Sequence, residues 1–218
     1  MNGSQFIEAG TSNDFSLNHQ LFTIEYWIKP ASMGSEFTPV WRGLWATSGW
    51  YTDVKTDGSS VFYMQENGGV WPCSAASGTV TTGNWQHYVF VRTGSGDSSV
   101  ITQYKNGSQI ASCGVHAGTD ASGLTMDIGA YNGGANFNGS IDEIRISTGI
   151  ARPAAWIQTE YNNQNNPAGF ISVGSQQGYS SGGTNYVTNY TYDMLNHLIG
   201  VSMTRGTTTQ TRTFNYVN

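Results

Sequence analysis

Two adjacent carboxylates, Asp142 and Glu143, head the stretch Ile141-Asp142-Glu143-Ile144-Arg145-Ile146-Ser147. Acid pairs are the groups that general acid–base chemistry uses. Their surroundings argue against that use. Ile144 and Ile146 alternate with Arg145 at the two-residue period of a half-buried strand, and neighbouring strand residues point to opposite faces. One of the two acids then faces inward or toward a loop, where a carboxylate needs an arginine, a hydrogen-bond donor or a metal. Asp142 either caps the Gly139-Ser140 turn through backbone N–H groups or pairs with Arg145, and Glu143 reads as a solvated charge on the outer face.

A second group of residues points to sugar chemistry. Of seven tryptophans, Trp41, Trp45, Trp50 and Trp71, together with Tyr51, fall in the most irregular third of the chain, beside Asp53, Asp57 and Asn67. Sugar sites combine an aromatic face, on which C–H groups stack, with fixed polar partners for the hydroxyls. Trp50, Tyr51, Trp71, Asp53 and Asn67 are therefore the candidate ligand contacts, with packing as the competing role of each aromatic. Trp27 and Trp85 sit inside strand patterns and Trp156 inside a helix pattern, so these three are expected in the core. His87 follows Trp85 in a strand and reads as structural, while His19, His116 and His197 look isolated.

Composition narrows the classes. Charged residues are 11% of the chain, the net charge is −5, and the nine Lys and Arg are scattered, so nothing here tracks a phosphate backbone and nucleic acid is excluded as a partner. No apolar run approaches the ~20 residues of a membrane span. Met1-Asn2-Gly3-Ser4-Gln5-Phe6-Ile7 lacks a basic and apolar leader and reads as the inside of a strand, so the chain reads as a fragment of a longer protein. Cys73 and Cys113 have no metal-ligand spacing, which leaves either a disulfide or two buried thiols. A low-lysine, Ser/Thr/Asn/Gly-rich composition leans toward an extracellular or cell-surface setting. There is no G-x-S-x-G elbow, no H-E-x-x-H and no phosphate-binding glycine loop.

The elements that must position these residues are almost all strands. Phe22, Ile24, Tyr26 and Ile28 alternate with Thr23, Glu25 and Trp27 up to Pro30; further runs lie at 40–47, 50–56, 61–65, 70–74, 85–92, 101–105, 109–112, 124–131 and 141–147. Asn67-Gly68 and Asn106-Gly107 mark hairpins. About a dozen strands at this spacing predict an all-β, two-sheet antiparallel sandwich. Pro153 to Asn162 is the one helix signal. Residues 174–189 read as a Gly/Ser-rich linker. The last segment, 190–218, is a threonine-rich, hairpin-like tail turning near Arg205-Gly206, too short to bury a core alone.

The ordered set Phe22 to Pro30, Gly83-Asn84-Trp85-Gln86-His87-Tyr88-Val89, Tyr104-Lys105-Asn106-Gly107, Asp127-Ile128-Gly129 and Phe137 to Ile146 resembles the laminin-G-like, concanavalin A-like jelly-roll domains of bacterial surface proteins, over residues 1–173. The tail, with Tyr190-Thr191-Tyr192-Asp193 and Asn196-His197-Leu198, resembles one YD repeat of the Rhs type, which implies further repeats in a parent chain. The first resemblance implies a structural calcium held by Asp142 with carbonyls of the Asn2-Gly3 segment; one carboxylate with carbonyls and waters makes a modest-affinity site. Glucanases of this architecture carry an E-x-D-x-x-E strand motif that sets two carboxyls ~5–5.5 Å apart, and no such motif is present. The expectation is a non-catalytic module that binds a glycan or a cell-surface protein; the alternatives are a structural spacer of an Rhs-like shell and, least favoured, a glycan-processing enzyme of the same fold.

Overall fold

Alternating apolar and polar side chains lay down the strands, and in the computed structural model residues 5–18, 20–119, 121–131, 134–170, 186–192 and 198–213 are described. The backbone divides into two units, 1–171 and 172–218. The first contains β1 (Ile7–Glu8), β2 (Phe22–Pro30), β3 (Phe37–Leu44), β4 (Ser48–Val54), β5 (Ser60–Glu66), β6 (Gly69–Ser74), β7 (Gln86–Thr93), β8 (Ser99–Lys105), β9 (Ser108–Val115), β10 (Met126–Ile128) and β11 (Gly139–Thr148). It ends in the helices α1 (Ala154–Asn165) and α2 (Pro167–Phe170).

The strands form a six-stranded sheet, β1-β10-β3-β4-β5-β6, and a five-stranded sheet, β11-β2-β7-β8-β9, antiparallel at every pairing. This is the expected jelly-roll sandwich. Phe22, Ile24, Tyr26 and Ile28 of β2 point between the sheets and are fully buried with Trp50 of β4, Phe62 and Met64 of β5 and Phe90 of β7. Phe62 lies 5.6 Å from Phe22 and 5.5 Å from Phe90, so aromatic rings tie the sheets together. At the β8–β9 hairpin, Asn106 and Gly107 both take positive φ, 51° and 79°, the conformation that makes Asn-Gly the favoured two-residue turn.

The alternate residues of β2 are buried as well, because α1 lies across the outer face of the five-stranded sheet. Ile157 packs at zero exposure against Val89, Val91 and Tyr104. Thr23 Oγ1 donates to the Ile150 carbonyl and accepts the Arg152 N–H, which pins the chain entering the helix. Cys73 of β6 and Cys113 of β9 are joined by a disulfide, with Cα atoms 5.3 Å apart.

The second unit is a three-stranded antiparallel sheet of β12 (Tyr186–Tyr192), β13 (Leu198–Arg205) and β14 (Thr208–Thr213). The β13–β14 turn falls at Arg205-Gly206 as expected, but a third strand joins the hairpin, and β12 starts inside the stretch read as linker. Residues 174–185 of that linker, Asp193, Asn196, His197 and His19 lie outside the described residues.

Candidate functional site

Residues directly opposite in an antiparallel sheet share a face. The register of the six-stranded sheet therefore lines up one row across all six strands on its outer face: Glu8, Asp127, Trp41, Tyr51, Tyr63 and Pro72. The three central rings stack side by side, Trp41 to Tyr51 at 4.8 Å and Tyr51 to Tyr63 at 4.4 Å and nearly parallel. Two more rings close over one end. Tyr131 meets Trp41 edge-on at 4.0 Å, and Trp45, in the β3–β4 turn, lies 5.9 Å from both Tyr51 and Tyr131. Trp41 and Tyr51 are thereby covered, while Trp45 is 52% exposed and offers its face to solvent.

Beside these rings runs a cleft of about 250 Å³ lined by Trp45, Tyr51 and Tyr131 together with Glu36, Asp53 and Lys55. Lys55 Nζ donates to Asp53 at 2.7 Å and to Glu36 at 3.1 Å, and lies 5.5 Å above the Tyr63 ring. Burial raises the Asp53 carboxyl, although its bond to Lys55 opposes the shift. Burial alone would lower the Lys55 ammonium, but its bonds to Asp53 and Glu36 outweigh that and raise it. Burial, reinforced by neighbouring acidic groups, raises the Tyr51 phenol, which stays a hydroxyl donor at any working pH. The cleft thus combines apolar ring faces with oriented donors and acceptors. Its two carboxylates are bridged by an ammonium, which occupies the space a glycosidase keeps between its acids for substrate or water.

Of the five sequence candidates, Tyr51 and Asp53 meet in this cleft. Trp50 does not: it is enclosed in the core, its Nε1 donating to the Phe15 carbonyl at 2.9 Å. The two-residue period gives the reason, since Trp50 and Tyr51 are strand neighbours and point opposite ways. Trp71 lies on β6 opposite Met64 and stacks on His116 away from the cleft, and Asn67 lies in the β5–β6 turn. Trp41 and Trp45 belong to the irregular aromatic third of the sequence but not to its five candidate contacts, and Tyr131, Glu36 and Lys55 were not singled out. For the two tryptophans a signal existed: Trp41 alternates with Val40 along β3, and Trp45, at the hairpin tip just after β3, has no core to enter.

Parity fails at Asp142 and Glu143. β11 shifts register between Asp142, opposite Trp27, and Arg145, opposite Glu25, and Glu143 takes a positive φ of 52°. This bulge puts both acids on the rim of one cleft of about 440 Å³, with Trp27, Trp85, Gln164 and Asn165. Asp142 Oδ1 accepts the Glu143 N–H at 2.8 Å, so it caps backbone inside its own bulge. Arg145 instead binds Glu143, Glu160 and the buried Glu25, which in turn bonds His87 at 3.2 Å. Trp85, expected in the core, is 43% exposed at this cleft. Trp27 packs against both His87 and Tyr161, whose rings also touch each other, and its Nε1 donates to Gln164. The oxygen groups of Asp142, Glu143, Gln164 and Asn165 are of the class calcium takes, whereas Asn2 and Gly3 lie outside the described residues.

Residues 2–158 match the family model of the concanavalin A-like lectin/glucanases superfamily, and the chain belongs to that superfamily. No curated protein sequence matches it. Among solved structures it resembles the CBM40 module of Ruminococcus gnavus IT-sialidase at 12% identity and a TM-score of 0.61, covering 74% of this chain and 94% of the module. A structure of that module bound to α2,3-sialyllactose gives 13% identity and a TM-score of 0.55, over 66% of this chain and 84% of the other. The botulinum neurotoxin serotype G binding domain gives 16% identity and a TM-score of 0.60 over 75% of this chain, which spans only 42% of that one.

Proposed function

We propose that the chain is a non-catalytic carbohydrate-binding module that takes a neutral glycan in the cleft between Trp45, Tyr51 and Tyr131 and the Glu36–Lys55–Asp53 triad. The observation that carries this is the exposed Trp45, packed over the aromatic row and beside oriented polar groups. The sialyllactose-binding CBM40 module and the neurotoxin binding domain support a binding role. The cleft chemistry argues for a different sugar from sialic acid: two carboxylates already neutralise the single cation, Asp127 and Glu8 continue the neighbouring row with two more acids, and no arginine lines the cleft among the described residues. A sugar carboxylate would meet repulsion.

The wider setting belongs to the same proposal. The disulfide suits an oxidising, extracellular or cell-surface location, and the Tyr190-Thr191-Tyr192-Asp193 tail supports a parent chain that continues into YD repeats. Calcium at Asp142 is a separate element of it. Millimolar calcium should raise Tm, and Asp142→Ala should remove the gain; an unchanged Tm in the parent chain excludes the ion.

The decisive measurement is a glycan array followed by calorimetry with the best neutral oligosaccharide. Trp45→Ala should weaken binding at least tenfold, as expected when a stacking ring is lost, while Trp85→Ala should leave it unchanged. If no neutral glycan binds, the spacer reading stands. Hydrolysis of a bound glycan would make the chain an enzyme.

A further inference from the structure

We infer that Glu66, Asp97 and His116 form a binding site for a divalent transition metal of the zinc class. The residues come from three places: the end of β5, the short 3-10 turn Gly96–Ser98 between β7 and β8, and the residue after β9. One ligand atom from each lies within 4.8 Å of the others. Glu66 Oε2 is 2.9 Å and Asp97 Oδ1 3.8 Å from the same nitrogen, His116 Nδ1. A ring N–H can serve one carboxylate at a time. Two acids converging on one nitrogen therefore leave a negative point that a cation fills better than a proton. Ligands bound tetrahedrally at about 2.0–2.2 Å from zinc stand roughly 3.3–3.6 Å apart, so the two contacts to His116 Nδ1 need change only by tenths of an ångström, and the two carboxylates, within 4.8 Å of each other, close by about 1 Å at most.

Each ligand is already held from outside. Trp71 Nε1 donates to Glu66 Oε2 at 3.2 Å, the Ala117 N–H donates to Asp97 Oδ1 at 3.1 Å, and the Trp71 indole stacks on the His116 ring. Such outer hydrogen bonds fix ligand orientation in metal sites. The Cys73–Cys113 disulfide anchors the strands that carry Trp71 and lead into His116. Glu66 and His116 side chains are each 35% exposed and Asp97 67%, which leaves an open side for water as a fourth ligand. One imidazole with two carboxylates suits zinc, cobalt or nickel, whereas calcium wants six or more oxygens.

The test is calorimetric titration of the whole, chelator-dialysed chain with zinc chloride, repeated with cobalt. One ion per chain is expected. His116→Asn and Glu66→Gln should each weaken binding at least tenfold while keeping the metal-free Tm within a few degrees. Asp97→Asn, at the most exposed position, serves if either variant fails to fold. Cobalt should quench part of the tryptophan emission, and Trp71→Phe should abolish that part while retaining the ion. Absence of stoichiometric zinc binding, or affinity unchanged in His116→Asn and Asp97→Asn, overturns the assignment. None of these readouts involves a sugar.

Discussion

At the residue scale, a strand's two faces separate side chains that are neighbours in sequence. Trp45 and Trp50 are five positions apart, yet one lies over the cleft and the other inside the core. Trp50→Ala should cost about 3–5 kcal/mol in urea unfolding, whereas Trp45→Ala should stay within about 0.5 kcal/mol and show its effect only in glycan affinity. Asp127 adds a pH signature. Burial, then the charge of Glu8, raises its carboxyl above the ordinary value. A carboxyl that holds its proton more tightly folded than unfolded takes up a proton on folding in the window just above the ordinary carboxylate range. Stability contributed by that group is present at acid pH and lost as pH rises through the folded value. Asp127→Asn should therefore be more stable than the parent near pH 7 and gain little near pH 3; a variant less stable at pH 7 would refute this.

At the element scale, regular alternation made most of the fold legible, and irregular elements hid the rest. β2, β5, β7 and the Asn106-Gly107 hairpin are readable from period two and turn chemistry alone. Tyr51 and Asp53 could be placed near a site by composition, and Lys55, two residues beyond Asp53, lay within reach of the same reading; Tyr131 comes instead from the connection between β10 and β11, a long-range contact that a single sequence does not display. The bulge in β11 is a different failure: one extra residue resets parity, so an argument that was sound for a regular strand separated Asp142 from Glu143 wrongly. The helix α1 also changed the meaning of its surroundings, turning the outer face of β7 and β8 into a second core. Ile157→Ala should cost about 2–5 kcal/mol, measurable as a lower midpoint in denaturant. A loss below 1 kcal/mol would show that the helix does not anchor this face.

At the scale of the whole molecule, charge and closure matter most. A net charge of −5, with acids in the row beside the cleft, repels anionic ligands, and if the proposed neutral glycan is the ligand its affinity should change little with salt. Replacing both Cys73 and Cys113 with Ser should cost about 2–4 kcal/mol and lower Tm; an unchanged Tm would mean that the bond constrains little. The two cysteines sit on the last strand of each sheet, β6 and β9. Those strands carry the outermost rows of unpaired backbone groups on that side, the places where a foreign strand could add itself. A covalent stitch between them keeps both from peeling outward, so the reduced protein should form fibrillar aggregates long before most of its molecules have unfolded.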